Sequence, residues 1–220
     1  MSRRVIIVVE GETEEEFVKS SLHPYLQGFD IYDVRGIKIT TSPGFKGGIG
    51  SYGKFRNNVE RYLKQEKDIV ISSLLDFFRL PTSFPKYDEA LKIPYPVQRV
   101  QFLEEAMKTD LEDHRYLPYI QLHEFEALLF TDLQGFEYSG FAKQQLQQIQ
   151  AVIDIFPNPE DINNHPETAP SKRLKKIIPE YRKVLYGNVI IQENGFHQLL
   201  EKCPRFSNWI KTMVERATGF

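Results

Sequence analysis

The chain has 220 residues, of which 41% are hydrophobic and 26% are charged, and its formal net charge is −2. This composition is ordinary for a globular protein and excludes disorder over most of the length, while the small net charge argues against a basic surface that wraps nucleic acid but leaves room for a local basic groove. The single cysteine, Cys203, excludes an internal disulfide and a zinc site built from cysteines, and it predicts a reducing, cytoplasmic location.

The first predicted unit is a buried strand followed by a helix. Residues 4–9 form a continuous apolar run that stops at Glu10, which is typical of a strand buried on both faces. The run is too short for a signal peptide or a membrane span, so no membrane association is expected. Thr13 and Glu16 fit a capping box, and they predict a helix that Pro24 bends or ends.

Two further strands are predicted at residues 33–40 and 68–76, and the second again ends on an acid, Asp76. The segment between them, residues 42–53, contains five glycines and predicts a mobile or unusually shaped loop. It has no GxxxxGK[ST] motif, so a nucleotide-binding P-loop is not expected. Lys46 in this loop is a candidate phosphate contact, and a disordered surface loop is the alternative.

The remaining elements alternate between helix and strand until about residue 130 and are helical afterwards. This order predicts an α/β fold, with a mostly parallel, Rossmann-like sheet flanked by helices and a C-terminal helical portion. We expect a core at residues 1–135 and a helical portion at 136–220 that packs on it as a single structural unit. The predicted elements are helices at 54–65, 97–111, 141–156, 171–186, 196–203 and 204–217, and a strand at 116–122.

Acidic residues follow the ends of the predicted strands. Glu10 ends the first strand, Asp76 ends the third, and Glu124 and Glu126 follow the last, together with His123. In a parallel sheet the carboxyl ends of the strands share one edge, where ligands bind. Carboxylates that converge there suit Mg²⁺ or Mn²⁺, which assist phosphoryl transfer by activating water and stabilising charge.

Each of these residues also has a structural interpretation. An acid after a strand can cap a helix or favour its N-terminus electrostatically, as we expect for Glu12 and its neighbours at 14–16. Asp76 can simply make a turn, and the sequence leaves open whether Glu124 or Glu126 enters the site. His123 is a candidate general base or ligand, with a hydrogen-bonded histidine at a strand end as the alternative.

Basic residues near these acids are candidate contacts to a phosphate backbone. Arg79 lies in the loop after Asp76. Lys172 and Arg173 begin a predicted helix for which Ser171 is the expected N-cap. The alternative for this helix is a solvated basic face.

Five blocks of the sequence resemble a bacterial family. The first three read VEGETEEEF at residues 9–17, LDFFRLPT at 75–82 and QLHEFEALLF at 121–130, and PSKR at 170–173 and CPRF at 203–206 follow in order. The chain is similar in these blocks to the family catalogued as domain of unknown function 4276, and the likeness spans nearly the whole length.

The resemblance implies a relation to Toprim domains, the fold of topoisomerases, primases and overcoming-lysogenisation-defect (OLD) nucleases. A Toprim site has a glutamate after its first strand and an Asp-x-Asp pair after a later one, and it binds Mg²⁺. Glu10 corresponds to that glutamate and Asp76 to the first aspartate, whereas Phe78 replaces the second aspartate. The metal site would then be incomplete unless Glu124 or Glu126 supplies the missing carboxylate.

The sequence is compatible with two functions. The first is a Toprim-like nuclease or phosphotransfer enzyme that depends on Mg²⁺ or Mn²⁺, acts on nucleic acid and belongs to bacterial defence, with Glu10 and His123 in catalysis. The second is a catalytically silent module that binds an ATPase encoded beside it, which Phe78 favours. Either function is compatible with a homo-oligomer.

Overall fold

The computed structural model describes residues 2–39, 48–163, 165 and 167–219. Lys46, the candidate phosphate contact of the glycine-rich loop, lies outside these residues. The strands are β1 (Arg4–Val9), β2 (Val34–Lys38), β3 (Ile69–Asp76), β4 (Tyr116–Leu117) and β5 (Ile120–Gln121). The helices are α1 (Glu12–Phe17), α2 (His23–Gln27), α3 (Tyr52–Gln65), α4 (Tyr87–Leu91), α5 (Pro96–Leu111), α6 (Gln134–Tyr138), α7 (Lys143–Ile155), α8 (Pro170–Ile177), α9 (Lys183–Asn194), α10 (Phe196–Lys202) and α11 (Pro204–Thr218).

The sheet is parallel in the order β2-β1-β3-β4, and β5 also pairs with β3. Val5 of β1 lies opposite Val34 on one side and Val70 on the other. The parallel α/β sheet with flanking helices and a helical C-terminal portion, predicted from the sequence, is confirmed. The predicted strand at residues 116–122 is instead two short strands, because Pro118 between them has no N–H to donate to a ladder.

The sheet has an apolar core on each face, as the period-2 alternation of β1 requires. Val5, Ile7 and Val9 contribute to one core, whereas Ile6 and Val8 contribute to the other. The first core also contains buried side chains of α7–α11, and the second contains those of α3 and α5. The central strands are therefore buried on both faces, which explains their uninterrupted apolar sequences.

The helical portion after residue 135 shares its core with the sheet. Trp209 of α11 donates its indole N–H to the hydroxyl of Ser72 in β3, with an Nε1–Oγ distance of 2.8 Å. At the other end of α11, the amide of Arg3 donates to the carbonyl of Ala217 at 2.7 Å. Helix α11 is thus fastened to the middle of β3 and to the residue that precedes β1.

Three local predictions are wrong. No capping box forms around Thr13, because α1 starts at Glu12 with Gly11 as N-cap, which leaves Thr13 inside the helix and buried. The helix also does not end at Pro24, since a π-helical turn at Val18–Leu22 leads directly into α2. Pro24 lies in the first turn of α2, where no N–H is needed.

The third wrong prediction is a continuous helix at residues 171–186. The structure has two helices there, α8 and α9, and Pro179 lies in the turn between them. Proline disfavours helical backbone in the preceding residue and has no N–H for the helix ladder. This break has a functional consequence, because it places Lys183 at the start of α9.

In the part of the chain that the structure describes, none of the helices combines the length and the apolar character that crossing a membrane requires.

Candidate active site

A cavity of about 940 Å³ lies at the carboxyl edge of the sheet. Glu10 reaches it from the end of β1, Asp76 from the end of β3, and Glu124 and Glu126 from the segment that follows β5. The four acids that the sequence placed after strands are therefore brought together, since parallel strands deliver their carboxyl ends to one edge.

Asp76 is buried and forms part of the floor of the cavity. Its Oδ1 accepts a hydrogen bond from the amide of Phe125 at 2.8 Å, so Asp76 orients the short 3-10 helix Phe125–Thr131. Burial raises the pKa of Asp76 well above its usual value, and the nearby carboxylates of Glu10, Glu14 and Glu126 raise it further against the opposing charge of Lys183. Ionisation of Asp76 therefore costs free energy unless a cation is close.

Glu10 is the least compensated acid of the cavity. Its side chain is partly buried, and among the described residues none donates a hydrogen bond to it or pairs with it. Burial, followed by the charges of Glu14 and Glu126, raises the pKa of Glu10 to about 8, although Lys183 lowers it. A carboxyl group with this pKa exchanges a proton near neutral pH or accepts a cation in its place.

Lys183 is the cation at the centre of these acids, and no motif of the sequence predicted its role. Its Nζ lies 2.8 Å from Oε1 of Glu14 and 3.2 Å from Oε2 of Glu126. Burial opposes its charge, but Glu126, Asp76 and Glu14 outweigh that effect and raise the pKa of Lys183 well above its usual value. Glu14, which we expected only to favour a helix N-terminus, is thus buried and part of this charge cluster.

Helix α9 is held against α1 and α6 by close contacts that fix the position of Lys183. The side-chain amide of Asn188 donates to the carbonyl of Thr13 at 3.1 Å. At Gly135 of α6 a Cβ atom would lie 2.3 Å from the carbonyl oxygen of Ile190, so only glycine allows this approach of the two helices. The sequence signal for a new helix near Lys183 is Pro179, which ends the helix before it.

The carboxylate of Glu124 makes structural hydrogen bonds. Its two carboxylate oxygens accept from the amide and the hydroxyl of Ser171, at 2.8 and 2.9 Å. The prediction that Ser171 caps its own helix is wrong, because α8 begins at Pro170 with Ala169 as N-cap. Glu124 accepts the first N–H of α8, that of Ser171, instead, and it thereby ties the C-terminal portion to the cavity.

Basic side chains surround the mouth of the cavity. Arg79 and Lys172, both predicted phosphate contacts, line it together with Lys175 and Arg182. The structure does not bring Arg173 to the cavity, since its Nε donates to the carbonyl of Thr168 at 2.7 Å and its guanidinium lies over the ring of Phe156. The cavity therefore combines an acidic floor with a cationic rim.

His123 is buried and does not line the cavity. Its carbonyl accepts from the amide of Phe78 at 2.9 Å. Burial and then the charge of Arg99 lower the pKa of His123 to about 4, so its ring is neutral at physiological pH. His123 thus lies behind the turn that carries Phe78, and its buried Nδ1 has no hydrogen-bond partner among the described residues, unlike the hydrogen-bonded histidine expected as the alternative.

The donor set of the cavity fits one hard divalent cation. Among the residues that the structure describes, no three Asp, Glu, His or Cys side chains are grouped closely enough to hold a metal by themselves. Mg²⁺, however, is commonly bound by one or two carboxylates, with water and phosphate oxygens completing its coordination. Glu10, and Asp76 through the oxygen that Phe125 does not use, are the two acids with this capacity.

Comparisons with known proteins support the fold. A family model described as "Domain of unknown function (DUF4276)" matches residues 9–214. The C-terminal region of the Burkholderia pseudomallei OLD protein is 16% identical, with a TM-score of 0.50 over 96% of this chain and 98% of that one. The C-terminal region of the Xanthomonas campestris pv. campestris OLD protein is 15% identical, with a TM-score of 0.51 over 98% and 92%. No curated protein matches the chain.

Proposed function

The chain belongs to the family described as Domain of unknown function (DUF4276), and from this premise we propose that it is a Toprim-like enzyme that hydrolyses phosphodiester bonds in nucleic acid with Mg²⁺ or Mn²⁺. The solved structures that it resembles, the C-terminal regions of OLD proteins, support the Toprim-like relation. The reaction itself is inferred from the chemistry of the cavity.

One observation carries the proposal, namely the excess of acid over base on the cavity floor beneath a basic rim. Lys183 is the one cation in contact with Glu14 and Glu126 among the described residues, and Glu10 and Asp76 remain without an ion pair. A cluster of this kind is stabilised by an additional cation. The basic rim has the charge that a nucleic acid backbone requires, and an acidic floor alone would repel it.

Each residue of the cavity has a definite role in this proposal. Glu10 and Asp76 would hold the divalent ion, which when bound supplies a Lewis acid for the phosphate and lowers the pKa of water. Lys183 carries a positive charge beside them and stabilises the negative charge that develops on the phosphate. The hydroxyl of Tyr181, which is buried and has no hydrogen-bond partner among the described residues, lines the same cavity and can donate to a phosphate oxygen.

Glu10 has an alternative capacity when it does not hold the ion, because a carboxylate bound to a metal carries no proton. A carboxyl group whose pKa is about 8 can keep a proton near neutral pH and release it to a leaving alkoxide. Arg79 and Lys172 at the rim would orient the backbone so that its phosphate faces the acids.

The test is cleavage of labelled DNA and RNA by the full chain with Mg²⁺ or Mn²⁺, compared with Glu10→Gln. The matched control is Glu105→Gln, because the Glu105 side chain is 70% exposed on α5 and far outside the cavity lining. We expect cleavage by the wild type and the control, and a loss of about 100-fold or more in Glu10→Gln. Equal cleavage by the wild type and Glu10→Gln, or none by the wild type, would reject the proposal.

A second function is favoured by a specific observation, namely that two of the four acids are already engaged. Glu124 bonds to Ser171, and Glu126 pairs with Lys183. Together with Phe78 in place of the second Toprim aspartate, this favours a catalytically silent module that binds an ATPase. If the chain binds no divalent ion and co-purifies with an ATPase encoded beside it, this second function replaces the first.

The cellular setting stays a prediction. Cys203 is a buried free thiol, which agrees with a reducing compartment such as the cytoplasm. A role in bacterial defence and homo-oligomer formation are likewise proposals that the cavity does not test.

A further inference from the structure

The turn after β3 presents an aromatic ring to the cavity at the position where a Toprim site has its second aspartate. Phe78 is partly exposed and lines the cavity, and the guanidinium of Arg79 lies 5.2 Å from the centre of its ring. These two side chains are in contact and form a pair, which we call the Phe78–Arg79 platform. Aromatic rings and guanidinium planes are the two surfaces on which unpaired bases stack in proteins.

The backbone holds this platform in place. The amides of Phe77 and Phe78 donate to the carbonyls of Gln121 and His123 at 3.0 and 2.9 Å, so the turn is anchored to the segment that follows β5. Phe77 and Leu80 on either side of the platform are buried and fasten it to the core. The platform is therefore preorganised and does not depend on a ligand to order it.

Arg79 adopts a backbone conformation that points to a functional constraint. Its φ is +65°, in the left-handed region that residues other than glycine, asparagine and aspartate seldom occupy. Strain of this kind persists where the surrounding structure enforces it, and it is concentrated at functional sites. Here it turns an exposed arginine back over the ring of Phe78 at the mouth of the cavity.

We infer that the Phe78–Arg79 platform stacks an unpaired base, so that the cavity takes single-stranded nucleic acid in preference to a duplex. This inference rests on the proposed function, and it names the substrate class of the same site. In a duplex each base face is already covered by its neighbours, whereas an unpaired base offers a free face to an aromatic ring. Asp76 lies two residues before Phe78, so a base on the platform places its backbone beside the acidic floor.

The shape and lining of the cavity agree with a single nucleotide. Its volume of about 940 Å³ lies within the range of sites that enclose a small molecule. Phe78, Ile49 and Val184 give its wall apolar surface for a base, while Lys172 and Arg182 give its rim charge for phosphates.

The experiment measures binding without cleavage, with EDTA present so that no divalent ion contributes. Fluorescence anisotropy gives the Kd of the full chain for a labelled DNA strand, an RNA strand of the same sequence, and the DNA duplex. Three variants are compared: Phe78→Leu, which keeps apolar bulk but removes the ring face; Phe78→Trp, which restores a ring; and Tyr138→Leu, a control whose side chain is 68% exposed and outside the cavity lining.

We expect the wild type to bind at least one single strand more tightly than the duplex. Phe78→Leu should weaken single-strand binding by about 5- to 100-fold, which is the effect of losing one stacked base, and should leave duplex binding unchanged. Phe78→Trp and Tyr138→Leu should bind like the wild type. Thermal unfolding of each variant verifies that it is folded, and Phe78→Trp verifies that the ring face and not the local packing is responsible.

Two results would overturn the inference: single-strand binding by Phe78→Leu within twofold of the wild type, or an equal loss for strand and duplex. The DNA and RNA arms identify which strand the platform takes. Failure here is separable from failure of the proposed hydrolysis, because binding in EDTA needs neither the metal nor cleavage, and the Glu10→Gln assay compares two proteins that both keep the platform intact.

Discussion

Two clusters of buried charge lie at the carboxyl side of the sheet, and they differ in how completely their acids are bonded. In the first, Glu160 accepts from the amides of Arg205 and Phe206 at 2.8 and 3.2 Å and from the hydroxyl of Tyr119 at 3.3 Å. Glu104 pairs with the guanidinium of Arg205 and accepts from the amide of Ile120 at 2.8 Å.

The second cluster, in the cavity, leaves acid uncompensated. Lys183 contacts Glu14 and Glu126, but neither it nor any other described cation pairs with Glu10 or Asp76. Burial raises the pKa of acids in both clusters. The difference indicates that the Glu104–Arg205–Glu160 cluster stabilises the fold, whereas the cavity keeps charge available for a ligand.

The largest effect on stability should come from the Glu104–Arg205–Glu160 cluster. Arg205→Met removes the cation that pairs with the buried Glu104 and leaves that acid without its ion pair, which should lower the free energy of unfolding by about 3–5 kcal/mol. Urea unfolding monitored by circular dichroism measures this change. Lys211→Met on the same helix is the control, because Lys211 is exposed, and it should stay within about 0.5 kcal/mol of the wild type. If the two variants are equally stable, the first cluster is not structural.

In the cavity, removing an acid should raise the free energy of unfolding instead of lowering it. The pKa of Glu10 is raised from 4.5 to about 8 in the folded protein, so ionisation destabilises the fold progressively as the pH rises from 4.5 towards 8. Glu10→Gln should therefore match the wild type near pH 4.5 and exceed its free energy of unfolding by about 2–4 kcal/mol at pH 9 without metal. Urea unfolding across this pH range would contradict the account if the variant were less stable at high pH.

Lys183 should show that the cavity acids need a positive charge. Lys183→Met removes the ion-pair partner of Glu14 and Glu126 and the positive charge near Asp76, and we expect a loss of about 2–3 kcal/mol at pH 8, since the lysine side chain is 32% exposed and water screens part of the effect. The loss should shrink at pH 5, because the pKa values of Asp76 and Glu126 are raised and more of these two acids are protonated there. Lys175→Met, on the exposed rim, is the control. A loss of the same size at both pH values would show that packing and not charge holds Lys183.

The smallest expected effect is stabilisation by the metal itself. Mg²⁺ or Mn²⁺ at ten times its Kd should raise the free energy of unfolding by about 1.4 kcal/mol, because the ion binds the folded state alone. A thermal shift in the wild type that is absent in both Glu10→Gln and Asp76→Asn would locate the ion at the cavity. A shift that survives in both variants would place the ion elsewhere.

Much of this arrangement follows from local sequence patterns. Apolar runs predict β1 and β3, and the acids at their ends, Glu10 and Asp76, share a cavity because parallel strands end at one edge. The resemblance of the five sequence blocks to the family is confirmed by the match over residues 9–214.

The rest depends on contacts between distant segments, which single-sequence patterns do not encode. Lys183 enters the cavity from a helix far along the chain, and Glu14 became part of the site only because that lysine reaches it. The sequence leaves open whether Glu124 or Glu126 supplies a metal ligand, and in the structure Glu124 bonds to Ser171, a partner that the sequence could not identify. Tertiary pairing, rather than propensity, assigns each of these acids its role.

The central claim is that the uncompensated acids of the cavity hold a divalent cation. Crystals of the full chain grown with Mn²⁺, with diffraction recorded for its anomalous signal, test it directly. We predict an anomalous peak in contact with the carboxylates of Glu10 and Asp76, and none there in crystals of Asp76→Asn. An ordered cavity without a peak at millimolar Mn²⁺, with Lys183 still paired to Glu14 and Glu126, would contradict the claim.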